Sequence, residues 1–369
     1  MSYTYDRGRK STLQPKEWGT VTGGDGKQVN KHMLISWVGA FRGFYKKDES
    51  QYSQDFITRM LYSARSIILV ISFQAALISG LLAAIFNSFN TVNFVLIVIS
   101  FVLLHVESNL LNDYFGYRYG HDTPDSPRRR YTLHPLADNI VTVREMKVTI
   151  VSILAVLAII GGYFTLLRGV DIILLAVAGA GILFMYDVSS TSLKTVGMGE
   201  IASFVVWGPL MVAGGYYAIT GAFSSSALLV SIPYGLGVMS VLLGKHIDQL
   251  SFDSGRGIGT LPVRAGESTS LALLVGIILL MYLATAAAVI ALYTPFTLLL
   301  VFVNIGRLRA AIRTIRADRP KEPPPGYVGW PLWYHRQALR HNSLFGWLYI
   351  AGLLIFAALT ATGIHIPLF

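Results

Sequence analysis

This sequence predicts an all-α membrane protein whose chain crosses the bilayer as nine transmembrane helices. Three observations carry that prediction. Of 369 residues, 53% are hydrophobic and only 14% charged, with a mean hydropathy of +0.54; a soluble domain carries roughly 25% charged residues. Apolar stretches recur along the chain, most of them near the roughly 20 residues that a helix needs to cross a hydrocarbon core. Lys and Arg crowd alternate connections, the bias that marks cytoplasmic loops. Cysteine is absent, which excludes disulfides and thiolate metal sites.

The elements follow in order. Residues 1–32 are polar and rich in Gly and Lys, without the apolar core of a signal peptide, and read as a disordered tail. Residues 33–60 mix Trp37, Phe41 and Tyr45 with Arg42, Lys46 and Lys47, a composition suited to an interfacial segment lying on the membrane. The membrane domain, 61–369, holds spans at 67–86, 91–111, 146–167, 171–187, 200–220, 226–244, 271–293, 294–306 and 344–363. The eighth is short and crosses only with help from its flanks, or by running on past Ile305. Cations gather in the N-terminal region and in 112–145, 188–198, 245–270 and 307–343, whereas the connections near 165–170, 221–225 and 294 hold Arg168 alone. Topology therefore explains the net charge of +10 better than nucleic-acid binding does. It puts the N-terminus in the cytoplasm and the C-terminus outside.

Two polar stretches leave apolar helices on that same cytoplasmic side. In the first, Asn109 and Asp113 project from one helix face, and Asn112, Gly116 and Gly120 form a second line beside it. Two prolines forbid a regular helix beyond, so Asp122 and Asp125 stand on a loop. Arg118 precedes them, and Arg128, Arg129 and Arg130 follow as cations that cannot deprotonate. The second stretch gathers Lys245, Asp248, Asp253, Arg256 and Arg264 around a Gly-rich run. Asp248 and Asp253 lie about 140° apart on an unbroken helix, so both face one metal only if the helix ends or bends between them. Gly255, Gly257 and Gly259 free backbone N–H groups for an anion. Acids beside a membrane are functional by default. Two carboxylate clusters with cationic walls suit Mg²⁺ and a diphosphate held between them.

Further pieces complete a pattern: Leu193-Lys194 with Gly197-Met198-Gly199-Glu200, Gly208-Pro209-Leu210-Met211-Val212 with Gly215-Tyr216-Tyr217, and Thr260-Leu261-Pro262-Val263-Arg264 with Gly266. Together with Asn109-x-x-Asn112-Asp113-Tyr114 and Gly120-x-Asp122, the sequence resembles the intramembrane prenyltransferases of the UbiA superfamily. Within them it is most similar to the 1,4-dihydroxy-2-naphthoate polyprenyltransferase branch of menaquinone biosynthesis. The resemblance implies nine helices around a central cavity, opening sideways to lipid and capped by two aspartate-rich motifs. It implies Mg²⁺ bridging those carboxylates to a polyprenyl diphosphate donor, whose ionised allylic group is captured by an aromatic or quinone-precursor acceptor. Carried onto this chain, the catalytic residues are Asp113, Asp122, Asp248 and Asp253, joined as metal ligands by Asn109 and Asn112. Diphosphate falls to Arg118, Arg128, Lys194, Lys245, Arg256 and Arg264. The chain also departs from the family pattern. Gly116 stands where the first motif has an acid, while Asp122 keeps the motif's later one; Gln249 takes the first acid's place in the second, with Asp248 one residue early. A family member of altered specificity, or one that binds isoprenoid without turning it over, is the alternative these departures raise.

Other residues say less. Glu107 lies late in the second span beside His105, facing the cavity mouth or the headgroups. Tyr114, Tyr117 and Tyr119 suit either a carbocation or an interfacial belt. Glu200 reads as an acid at a helix N-terminus. His134, His335 and His341 show no metal-ligand spacing. The Arg307–Arg316 stretch has a helical period suited to anionic lipid heads. A transporter would place charge at span centres and repeat itself in inverted halves, and the sequence does neither.

Overall fold

Helices account for every regular element among the described residues, which are 36–41, 55–86, 88–120, 122–123, 126–188, 192–291, 294–327 and 329–362 of a computed structural model. The predicted tail, 1–32, and Asp125 lie outside them. Of the predicted interfacial segment, residues 36–41 are helical, and Trp37 Nε1 donates to Asp55 at 3.1 Å. Asp55 then caps α1 (Phe56–Ser63), accepting from the Thr58 backbone at 3.0 Å. It satisfies one of the donors that any helix start leaves open.

Among the described residues, seven helices are long and apolar enough to cross a membrane. They are α2 (Ser66–Ile85), α3 (Thr91–Arg118), α5 (Val143–Arg168), α7 (Gly199–Thr220), α8 (Ser225–Asp248), α11 (Glu267–Ile290) and α13 (Tyr334–Ala361). Shorter helices join them: α4 (Pro127–Tyr131), α6 (Val170–Tyr186), α9 (Leu250–Gly255), α10 (Leu261–Ala265) and α12 (Ile305–Arg316). The fourth and eighth predicted spans correspond to α6 and to the run into α12. That run opens as a 3₁₀-helix, Phe296–Asn304, before α12 continues it. At the longer 3₁₀ rise the whole reaches about 36 Å, enough to cross a bilayer core. The eighth segment thus does run past Ile305.

Burial sets the layers. In α8, 72% of the apolar window is buried, against 22% in α5, so α8 is central and α5 lies on the lipid-facing flank. α8 packs on α7, α11 and α13, and α2 closes the group against α13 and α7. Where α7 meets α8, Gly208 and Gly235 face each other. A Cβ added to Gly235 would lie 2.9 Å from the Phe204 carbonyl oxygen and 3.0 Å from the Gly208 Cα. Small residues let helix backbones approach in this way where lipid supplies no hydrophobic drive. Pro209 sits within the π-helical stretch Val206–Ala213 in the middle of α7. A missing N–H commonly loosens the helical ladder in this manner.

The two ends differ. At the end bearing few cations, Arg168 donates to the carbonyls of Ala218 at 3.0 Å and Ile219 at 2.6 Å, capping the end of α7. The exception in the charge pattern is therefore a structural one. At the other end the connections carry both polar stretches.

Candidate functional site

The first polar stretch assembles around the C-terminal turns of α3. Asp113 is buried, and its Oδ1 accepts from the guanidinium groups of both Arg65 and Arg128. Arg65 stands at the bend before α2, in the left-handed region at φ 54°. Asn109 holds that bend by donating to the Ala64 carbonyl at 2.9 Å, while Asn112 Oδ1 accepts from Arg65 at 3.2 Å. Burial works against the charge of Arg128, but the Asp113 carboxylate outweighs it and holds the guanidinium above its usual value. The second oxygen of Asp113, Oδ2, is buried without a hydrogen-bond partner.

After α3 the chain turns back. The Asp122 carboxylate lies directly over Gly116, against the position a side chain there would take. Its Oδ2 meets His134 Nε2 at 3.0 Å. His134 is fully buried, and its Nδ1 accepts from the backbone N–H groups of Leu136 at 3.2 Å and Ala137 at 3.1 Å. With Nδ1 committed as acceptor, the ring's proton sits on Nε2 and points at Asp122.

In the second stretch α8 does end between the two acids, at Gln249, but the acids part company. Asp248 turns to the start of α13, where its oxygens accept from the backbone N–H groups of Tyr334 at 3.1 Å and His335 at 2.9 Å, with Arg319 at 3.6 Å. Both oxygens of Asp248, expected as a metal ligand, accept here from open donors of a helix start. Asp253 is buried differently. Its Oδ2 accepts from Thr260 Oγ1 at 3.3 Å, and its Oδ1 has no partner.

Cross-braces bring the loops together. Arg256 donates to Thr123, beside Asp122, at 3.0 Å and stacks on Phe252. Arg264 donates to the carbonyls of Gly259 at 2.9 Å and Thr195 at 3.2 Å, tying the Lys194 loop to the second stretch. These two arginines hold the loops of the site. Arg118 is exposed at the end of α3, and Lys194 and Lys245 are half-buried beside the Glu200–His246 pair, which meets at 2.8 Å. Arg65 is not singled out by the sequence, and His134 and Thr260 are named there without these contacts.

The pattern of the UbiA prenyltransferase family matches residues 73–335, most of the chain. The chain belongs to the UbiA prenyltransferase family. It is 28% identical to a 1,4-dihydroxy-2-naphthoate octaprenyltransferase of Haemophilus influenzae, over 65% of this chain and 79% of that one. With the enzyme of the same name from Escherichia coli it shares 30%, over 56% of this chain and 68% of the other. A UbiA homologue from Archaeoglobus fulgidus, solved with GPP and Mg²⁺, has the same fold, with a TM-score of 0.56 at 15% identity over 81% of this chain and 99% of that one. As a UbiA member this chain is a multi-pass membrane prenyltransferase.

Proposed function

We propose that this UbiA prenyltransferase moves a polyprenyl group from an isoprenyl diphosphate to an aromatic acceptor resembling 1,4-dihydroxy-2-naphthoate, with Mg²⁺, at the cytoplasmic end of the bundle. The observation that carries this reading is the pair of buried, unpartnered carboxylate oxygens, Asp113 Oδ2 and Asp253 Oδ1. An orphaned buried acceptor is costly and calls for a partner. No three acidic or imidazole side chains stand together as a ready metal site among the described residues. The two orphan oxygens, with Asp122 and the amides of Asn109 and Asn112, would supply the hard oxygen ligands that Mg²⁺ prefers. The names of the curated relatives support the acceptor, and the A. fulgidus structure with GPP and Mg²⁺ supports the donor.

Bound Mg²⁺ would supply positive charge to the departing diphosphate. The chain's own residues do the rest. Arg65 and Arg128 already stand at Asp113 and add fixed positive charge where diphosphate charge develops. Lys194 and Lys245 add cations from the facing loops. The allylic C–O bond breaks and its electron pair leaves with the diphosphate. A carbon of the electron-rich acceptor ring then bonds to the allylic carbon, and the ring regains aromaticity by releasing a proton from that carbon, or carbon dioxide where the carbon carried a carboxylate. The apolar helices exclude the water that would otherwise capture the cation.

The test is to incubate detergent-purified protein with Mg²⁺, labelled geranylgeranyl or longer polyprenyl diphosphate and 1,4-dihydroxy-2-naphthoate, measuring diphosphate release and product together. Asp113→Ala or Asp253→Ala should each lower turnover about 10²-fold or more, the scale on which one preorganised charge acts. Release without prenylated product would reject the acceptor and keep the donor. Tight donor binding with neither release nor product would favour the second reading, a binding protein that lost turnover, which Gln249 and the arginine-saturated Oδ1 of Asp113 favour.

A further inference from the structure

The surviving later acid of the first motif, Asp122, leans over the glycine at 116. A Cβ built on Gly116 would collide with Asp122 Oδ2, so a side chain at 116 and the present Asp122 carboxylate exclude one another. The backbone is shaped for this return, because the Asp122 N–H donates to the Gly116 carbonyl at 3.3 Å. Gly116 lies one helical turn from both Asn112 and Asp113, so the carboxylate above it stands beside them.

What holds it there is His134. The imidazole is completely buried, its Nδ1 is pinned by two backbone N–H groups, and its Nε2–H is aimed at the carboxylate 3.0 Å away. Tyr117, one position beyond Gly116, stacks over the ring at 6.5 Å. A donor so fixed orients a carboxylate without neutralising it, as outer-shell partners of metal ligands do. Asp138 braces the same turn, accepting from the His134 N–H at 2.6 Å and from Arg129.

We infer that His134 is the positioning residue that keeps the Asp122 carboxylate, folded back over Gly116, turned to the metal. The inference rests on the proposed Mg²⁺-dependent reaction and says which residues complete its site. Glycine at 116 is then a requirement of the arrangement, not a loss.

The experiment titrates Mg²⁺ calorimetrically into detergent-solubilised protein saturated with the unreactive geranylgeranyl thiolodiphosphate, with gel filtration to check that each variant stays monodisperse. Asp122→Gly and Gly116→Ala should each weaken Mg²⁺ at least tenfold. His134→Asn keeps an acceptor near the Nδ1 position for the turn but withdraws the donor from Asp122. Its Mg²⁺ affinity should fall 10- to 100-fold, the usual effect of removing such a partner. His134→Gln restores a donor near Nε2 and should bring affinity back to within about threefold of wild type, a rescue that a merely structural role would not give. Unchanged affinity in both Asp122→Gly and His134→Asn would overturn the inference while leaving the proposed function standing. If the wild-type protein takes up no Mg²⁺ with the analogue, both fall together.

Discussion

At the scale of single residues, three aspartates that look alike in sequence have three different positions. Asp113 is held by two guanidiniums, Asp253 by one threonine hydroxyl, and Asp248 by two backbone N–H groups of another helix. Asp248→Asn should therefore act on stability and not on metal. Removing an acceptor from two helix-start donors costs about 1–2 kcal/mol, to be read as a lower thermal midpoint, with the Mg²⁺ dependence of turnover unchanged. A large shift in Mg²⁺ dependence would return Asp248 to the site. Asp113 and Asp122 were legible because acids near a membrane demand a reason and because their spacing fits a family pattern. The fate of Asp248 was not, since its partners lie 86 and 87 positions away and no local periodicity points to them. The same holds for Arg65, which meets Asp113 across 48 positions. His134, by contrast, was visible and shows no metal-ligand spacing; the role inferred for it is to hold a ligand, which such spacing does not reveal.

At the scale of helices, the sequence was read most securely where a run of apolar residues is long. Each of the seven spans long and apolar enough to cross overlaps a predicted span. It was read least securely where backbone geometry departs from the α-helix, because hydropathy carries no record of rise per residue. The 3₁₀ opening before α12 and the π-helical centre of α7 are the two cases. The crossing of α7 and α8 is the packing contact most sensitive to a single atom. Gly235→Val would drive its side chain into the Phe204 carbonyl and the Gly208 backbone, and should destabilise the bundle by about 1–3 kcal/mol. Detergent thermal unfolding measures it, and Ala284→Val on the partly buried edge of α11 serves as control. Equal losses in the two variants would mean that the close approach carries no special weight.

At the scale of the whole molecule, charge asymmetry and the braced loops place the proposed chemistry at one end. The native chain has no cysteine, so the orientation is directly measurable with single introduced thiols. Exposed Ser254→Cys should resist a membrane-impermeant maleimide added outside intact cells and react in inverted vesicles. Exposed Ala222→Cys, near Arg168, should behave in the opposite way. The reverse pattern would invert the proposed topology. The Arg256–Thr123 bond has a consequence of another kind. It joins segments 133 positions apart, one following the third helix and the other following α8. Contacts so distant along the chain close late, after the loop entropy between them has been overcome. During synthesis, α3 is made well before the segment that carries Asp253 and Arg256 emerges. A nascent chain halted before that point holds one acid cluster without its counterpart, so the proposed diphosphate capture would belong only to the completed bundle.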